Sequence, residues 1–189
     1  MGQLLTFLFL FVLKNVFGQV ESNQECKIEI FLLKSVKPNL DTSIRLRAAF
    51  AVEKADLQDT AFIKDHEILS YTLTRDTIRF SDSVLFAGRQ RFEVAKEVVN
   101  RINNLQISLC CGKQFALVVN NEIVYSGYFW NWFSSWGCAG ITASAHETTI
   151  EVRRKLPDYG FTDDSKDPRL NTLLLDCLLK TKRLSKQRP

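Results

Sequence analysis

Gly112 to Trp130 reads GKQFALVVNNEIVYSGYFW, and the fold turns on how this stretch is read. Two apolar runs, Gln114 to Val119 and Glu122 to Phe129, flank Asn120-Asn121. Asparagine tolerates positive φ, so two in succession predict a tight two-residue hairpin. Downstream, Gly140 to Ala145 and Thr148 to Arg154 read as strands that close a sheet. Upstream, Leu105 to Cys110 is expected to be a buried strand, with Gly112-Lys113 turning the chain.

Helices are expected on either side of this β-rich stretch. Val84 to Asn103 is the longest helical pattern, with Ser81 or Ser83 available as its cap. Phe92, Ala95, Val99 and Ile102 recur at three and four and make one apolar stripe. Arg89, Arg91, Glu93, Lys96, Glu97 and Arg101 lie mostly off it. Near the C-terminus, Leu156 to Lys166 reads as loop and Asp167 as the cap of a helix opening at Pro168. Leu170, Leu173, Leu174, Cys177 and Leu178 trace one face at helical spacing, which must pack on something. Asp163-Asp164-Ser165-Lys166-Asp167 lacks the Gly and distant Glu of an EF-hand, so it reads as solvated loop plus cap.

The first half is less regular. Lys27 to Leu33 alternates and predicts a strand. Ile44 to Val52 is a second candidate of ambiguous period, and Ala55 to Asp65 is polar loop with at most a short turn of helix. Ile68 to Leu73 and Thr77 to Phe80 flank Thr74-Arg75-Asp76 and read as a hairpin. The fold class is α+β: a mainly antiparallel sheet with two helices packed on one face. Residues 19–179 form a single globular domain, followed by a basic tail over 180–189.

Leu4 to Leu13 (LLTFLFLFVL) is a continuous apolar run, too short for a bilayer, which needs about 20 residues. It fits the apolar region of a signal peptide spanning 1–18, with Val16-Phe17-Gly18 before a cleavage site at Gln19. A buried N-terminal helix is the competing reading, because Lys14 follows the run and no basic residue precedes it. The protein is therefore expected to be exported, to the periplasm or the extracellular space. No later segment is long and apolar enough to span a membrane. Composition is that of a globular chain, 46% hydrophobic and 24% charged. The net charge of +4 is too small to imply a nucleic-acid partner.

Cys26, Cys110, Cys111, Cys138 and Cys177 make an odd count, which leaves at least one outside any pairing. Buried apolar cysteine is the plainest reading. A disulfide from Cys26 to Cys177 or to Cys138 comes next, and a bridge between adjacent Cys110 and Cys111 would be strained. No C-x-x-C pair points to metal. His66 sits between acids in Lys64-Asp65-His66-Glu67, and His146 lies at a predicted turn. Hydrolase-elbow, phosphate-loop, dinucleotide and zinc-protease motifs are all missing. No catalytic residue and no cofactor is assigned on this basis.

The most unusual stretch is Tyr125 to Trp136, YSGYFWNWFSSW, which holds all three tryptophans. Each ring buries about 150–250 Å² when covered, so either these rings are core or they are an exposed platform. The candidate ligand-binding residues are Tyr128, Trp130, Trp132, Phe133 and Trp136. Strand pairing should run out near Tyr128, leaving Trp130 as the last ring with sheet beneath it. Ser134-Ser135 and Gly137 favour loop, which puts Trp132 and Trp136 in the open.

Gly112 to Gly127, with the turn at Asn120-Asn121-Glu122 and the Tyr125-x-Gly127-x-Phe129-Trp130 ending, resembles a segment of small exported bacterial proteins of unknown function. In those proteins the turn carries Gly where this chain has Asn121, and Ser follows the Trp where this chain has Asn131. A helix followed by a Gly-Lys strand, turn and strand also loosely resembles the periplasmic head subdomain of the SecD translocation protein. That likeness covers under a third of the chain, without SecD's transmembrane helices, and implies a fold more than a function.

The reading that follows is a non-enzymatic exported protein that binds a protein or glycan partner through the aromatic loop. One alternative is a small thiol- or metal-dependent enzyme using Cys110, Cys111, Cys138 and His146. Another is a structural accessory of an envelope or translocation complex.

Overall fold

The Asn120-Asn121 hairpin forms as expected and lies inside a larger sheet. The structure, a computed structural model, describes residues 26–38, 49–80, 83–131, 133–154 and 167–185. Among these, the strands are β1 (Ile28–Leu32), β2 (Ile68–Phe80), β3 (Ser83–Val94), β4 (Lys113–Val119), β5 (Glu122–Phe129), β6 (Thr142–His146) and β7 (Thr149–Arg153). The helices are α1 (Lys96–Asn103) and α2 (Thr172–Lys180), with three short 3-10 turns at Lys54–Asp56, Asp65–Glu67 and Pro168–Leu170. All seven strands join one sheet in the order β1-β4-β5-β6-β7-β3-β2. Every ladder is antiparallel except β5–β6, which is parallel at Tyr128↔Thr142 and Phe129↔Ala143. The fold is α+β, and its sheet is mixed.

The β4–β5 turn works because Asn120 and Asn121 both take positive φ, 49° and 67°. Such a turn twists in the same sense as the strands it joins. Beyond it Phe115 pairs with Gly127, and a bulge falls between Leu117 and Val118. A side chain at Gly127 would stand 2.8 Å from the Ile141 carbonyl and 3.0 Å from the Phe115 ring, so the ring lies where a Cβ would go.

Both faces of β4 are buried, and its alternation sorts the core into two clusters. Phe115, Leu117 and Val119 join a cluster that includes Val98, Val99 and Ile102 of α1 and Leu174, Cys177 and Leu178 of α2. Ala116 and Val118 join a second cluster with Leu33, Phe50, Leu57, Tyr128, Trp130 and Cys138. Cys177 is also disulfide-bonded to Cys26, 151 residues away in the chain. In the chain-entropy account, closing so long a loop in the unfolded state is worth about 4–5 kcal/mol. Among the described residues no helix is long and apolar enough to cross a membrane.

Several expectations need correction. Thr74-Arg75-Asp76 is not a turn: Thr74, Arg75 and Asp76 pair with Arg89, Gly88 and Ala87, and the chain reverses only after Phe80. The long helix expected over Val84 to Asn103 is strand as far as Val94, and only Lys96–Asn103 is helical. Phe92 pairs with Ile150 and is fully buried, with Val94 buried two residues on, which is the period of a strand. The apparent helical stripe arose because the end of β3 and the start of α1 feed the same cluster. Leu105 to Cys110 forms no strand, because both edges of β4 are already taken by β1 and β5.

Of the second strand candidate, residues 44–48 lie outside the described residues. Ala49 to Val52 are irregular, with the Phe50 ring edge-on to Tyr128 at 5.0 Å. Asp167 accepts the Arg169 backbone N–H as a cap should, but it opens a 3-10 turn; α2 starts later, capped by Asn171. The tail is partly built into the fold. The Tyr71 N–H donates to the Arg183 carbonyl, Ser185 donates to the Tyr71 carbonyl, and Arg183 pairs with Asp65 at 2.7 Å. The expected leader over 1–18, the stretch 156–166 that was expected to be loop, and residues 186–189 lie outside the described residues.

Candidate functional site

Two loops meet at the end of the β4–β5 hairpin away from the Asn-Asn turn. One is Leu105 to Gly112, leading into β4; the other is Trp130 to Gly140, leaving β5. Gly112 joins them. Its φ is +62°, and a side chain there would meet the Phe129 carbonyl and the Trp130 ring at 2.9 Å. Ser134 bonds across the loops, its hydroxyl donating to the Leu109 carbonyl. The aromatic loop also holds itself: Asn131 Oδ1 accepts the Phe133 N–H at 3.0 Å, and Ser134 Oγ accepts the Trp136 N–H at 3.1 Å. These bonds fix a turn immediately after the last buried ring.

The five candidate residues divide at that turn. Tyr128 and Trp130 are core side chains, 1% and 2% exposed, which removes both from an exposed platform. Phe133 is 71% and Trp136 58% exposed, and Leu109 across the loop pair is 56% exposed. Trp132 lies outside the described residues. Pairing ends at Phe129, after which Trp130 still donates its N–H to the Ala143 carbonyl.

A cavity of about 330 Å³ opens beside this loop, bordered by Trp130, Asn131, Phe133, Ile107, His146 and Glu147 among others. It draws His146 to the aromatic loop, a juxtaposition that spacing does not reveal. His146 is exposed on β6 and lies 3.9 Å from the Glu147 carboxylate. Among the described residues the buried Trp130 indole N–H has no hydrogen-bond partner. The wall thus offers apolar ring surface, a carboxylate, an imidazole and an amide together.

The cysteines part company. Cys110 and Cys111 sit on the exposed turn with their sulfurs 2.8 Å apart. Cys138 is buried with Tyr128 and Trp130, its thiol directed at the Gly140 carbonyl at 3.8 Å. Among the described residues no group of three or more His, Cys, Asp or Glu side chains is placed to hold a metal ion. The metal centre imagined from Cys110, Cys111, Cys138 and His146 therefore does not assemble. His66 is exposed, as its acidic neighbours suggest.

A second polar feature went unread in the sequence. Arg169 is 1% exposed and wraps its guanidinium on Asp167, with Nη2 to Oδ2 at 2.6 Å and Nη1 donating to the Val152 carbonyl at 3.0 Å. Gln90 donates to the Arg169 carbonyl at 2.8 Å. Tyr71 and Tyr125 lie close enough to feel this pair, and burial pushes both phenols above their ordinary value. Among the described residues their hydroxyls have no hydrogen-bond partner. Charge at positions 167 and 169 reads as surface in a sequence; burial follows only because the turn at Pro168 tucks under β5. This buried pair braces the sheet between β5 and β7, where β6 pairs with β5 over two residues only.

No protein-family model matches this chain, and no curated protein matches it either.

Proposed function

We propose that this is an exported, non-enzymatic binding protein whose aromatic loop docks a protein or glycan partner. The observation that carries the reading is the exposure of Phe133 and Trp136 on a loop fixed by its own hydrogen bonds. Large rings held in water with Leu109 beside them form an apolar patch of the kind that marks interaction sites. Pre-ordering the loop lowers the entropy lost on association. The cavity edged by Phe133, His146 and Glu147 supplies polar groups next to the rings, a combination suited to orienting a partner.

Export is supported by the Cys26–Cys177 bond, since disulfides persist in oxidising compartments. In the same reading both helices lie on one face of the sheet, supported by their shared cluster with Phe115, Leu117 and Val119. A role as accessory to an envelope assembly is the case in which the partner is a protein. The thiol-enzyme alternative has less behind it, because Cys138 is buried in the core.

The test compares the native chain with Phe133→Ala/Trp136→Ala. Each would be passed over insoluble polysaccharides and photo-crosslinked from Ser135 to envelope proteins of the source cells. Loss of retention or crosslinking in the double variant, at unchanged melting temperature, supports the loop as the docking element and says which partner class it takes. Retention and crosslinking that survive the double substitution would rule the loop out. N-terminal sequencing of protein from its host should begin at or near Gln19; an intact Met1 would sink the export reading.

A further inference from the structure

Cys110 and Cys111 occupy a place in the fold that the binding reading does not use. In extended chain, neighbouring side chains point to opposite sides. Here the backbone turns: the Cys111 N–H donates to the Ser108 carbonyl at 3.4 Å and the Gly112 N–H to the same oxygen at 3.2 Å. The turn brings both sulfurs to one side, 2.8 Å apart, with Cys110 exposed and Cys111 half-buried. The Ser108 hydroxyl lies 3.3 Å from the Cys110 sulfur, in reach to donate a hydrogen bond to a thiolate. Gly112 closes the turn at a φ and in a space that Gly alone fills without strain. Among the described residues neither side chain belongs to a hydrophobic cluster, so core packing does not account for two thiols here.

From this geometry we propose that Cys110 and Cys111 are a reversible dithiol–disulfide site, oxidised by exchange with a small-molecule or protein disulfide. The Cys110 thiolate, the more exposed, attacks one sulfur of the incoming disulfide, and the other sulfur leaves as a thiolate. The Cys111 thiolate then attacks the Cys110 sulfur of the mixed disulfide and expels the second thiolate. One S–S bond forms in the protein, one S–S bond of the co-reactant is lost, and two thiol protons pass to the solvent or the leaving thiolates. The protein pair is oxidised by two electrons and the co-reactant reduced by two. Consecutive Cα atoms are about 3.8 Å apart, short of the roughly 4.4–6.8 Å that disulfides favour. The bond is therefore easily reduced again, which makes the site reversible. The Ser134–Leu109 hydrogen bond ties this turn to the aromatic loop, so the redox state is set next to the docking surface.

The experiment equilibrates folded protein in glutathione buffers from reducing to oxidising, traps thiols with N-ethylmaleimide, and reads the tryptic peptide that ends at Lys113 by mass spectrometry. Oxidation should remove both alkyl adducts and leave that peptide lighter than the dithiol by two hydrogens, reversing on return to reducing buffer while Cys26–Cys177 stays intact. Phenylarsine oxide, which needs two adjacent thiols, should bind the reduced protein one to one and protect it from oxidation. Cys110→Ser and Cys111→Ser should each abolish both results and accumulate a glutathione adduct on the remaining cysteine, with melting temperatures close to the parent. Full alkylation of both cysteines across the whole range, two separate glutathione adducts in place of the ring, or a link from either to Cys138 would overturn the proposal.

Discussion

Tyr125 to Trp136 is one aromatic run with two fates. Up to Trp130 its rings are buried: Tyr125 and Phe129 on the helix-bearing cluster, Tyr128 and Trp130 on the other. Past Asn131, Phe133 and Trp136 stand in solvent. Residue type does not separate the halves, since aromatic rings fill both. Cover separates them. The first half is strand, with β4 on one side and side chains packed above and below. The second half begins where β4 has no further residue to offer and Asn131 turns the chain. A ring is core when another element arrives to bury it, and that arrival is a tertiary event.

The contrast is easiest to break by removing the cover. Leu174 is fully buried on α2 and packs in the cluster that holds Phe115 and Phe129. Leu174→Asp puts an unpaired carboxylate there at a cost of several kcal/mol, comparable with the whole stability of a domain, about 5–15 kcal/mol. The variant should fail to melt cooperatively, and a normal transition in circular dichroism would show that α2 covers nothing.

Trp130→Ala probes the covered half directly and should cost about 3–5 kcal/mol in the urea midpoint. A cost below 1 kcal/mol would place Trp130 with the exposed rings. Gly127→Ala tests the closeness of that packing. Its added carbon meets the Ile141 carbonyl and the Phe115 ring, so a loss of about 1–3 kcal/mol is expected from overpacking.

Acid gives a smaller and more selective lever. Arg101 donates two hydrogen bonds of 2.8 Å to Glu67, binding α1 to the start of β2 and holding that carboxyl below its ordinary range. A carboxyl so depressed stabilises the fold above its unfolded value of about 4.3, and the contribution is lost as pH falls through the lower, folded value. Arg101 is partly solvated, so the expected contribution is about 0.5–1 kcal/mol. Glu67→Gln should flatten the stability profile below about pH 5, read from urea midpoints, and leave the exposed rings unchanged; an unaltered acid slope would show that the pair contributes nothing.

The smallest effect is expected where cover is absent. Phe133→Ala and Trp136→Ala should each move stability by no more than about 0.5 kcal/mol. Acrylamide should quench Trp136 in native protein and spare Trp130, assigned by single-tryptophan variants. Equal protection of the two would erase the distinction between the halves.

The sequence by itself determined the elements whose signals are local. Asn120-Asn121 specified its hairpin because two positive φ values are needed and asparagine accepts them. Leu174, Cys177 and Leu178 marked the buried face of α2 because helical periodicity does not depend on the partner. The strands expected at Gly140 to Ala145 and Thr148 to Arg154 form as β6 and β7, because strand signals too are local. Tertiary structure alone decided the rest. Ser83–Val94 became strand because β2 and β7 pair with it, although its residues continue a helical stripe into α1. Leu105 to Cys110, apolar enough for a strand, found both edges of the adjoining β4 taken by β1 and β5. Cys26 was joined to Cys177 because β1 and α2 come together across almost the whole chain. Arg169 was buried because a turn carried it under the sheet, where Asp167 neutralises it. Local signals act through neighbouring backbone and survive in one dimension; cover, pairing and burial depend on residues far along the chain, and only the folded arrangement supplies them.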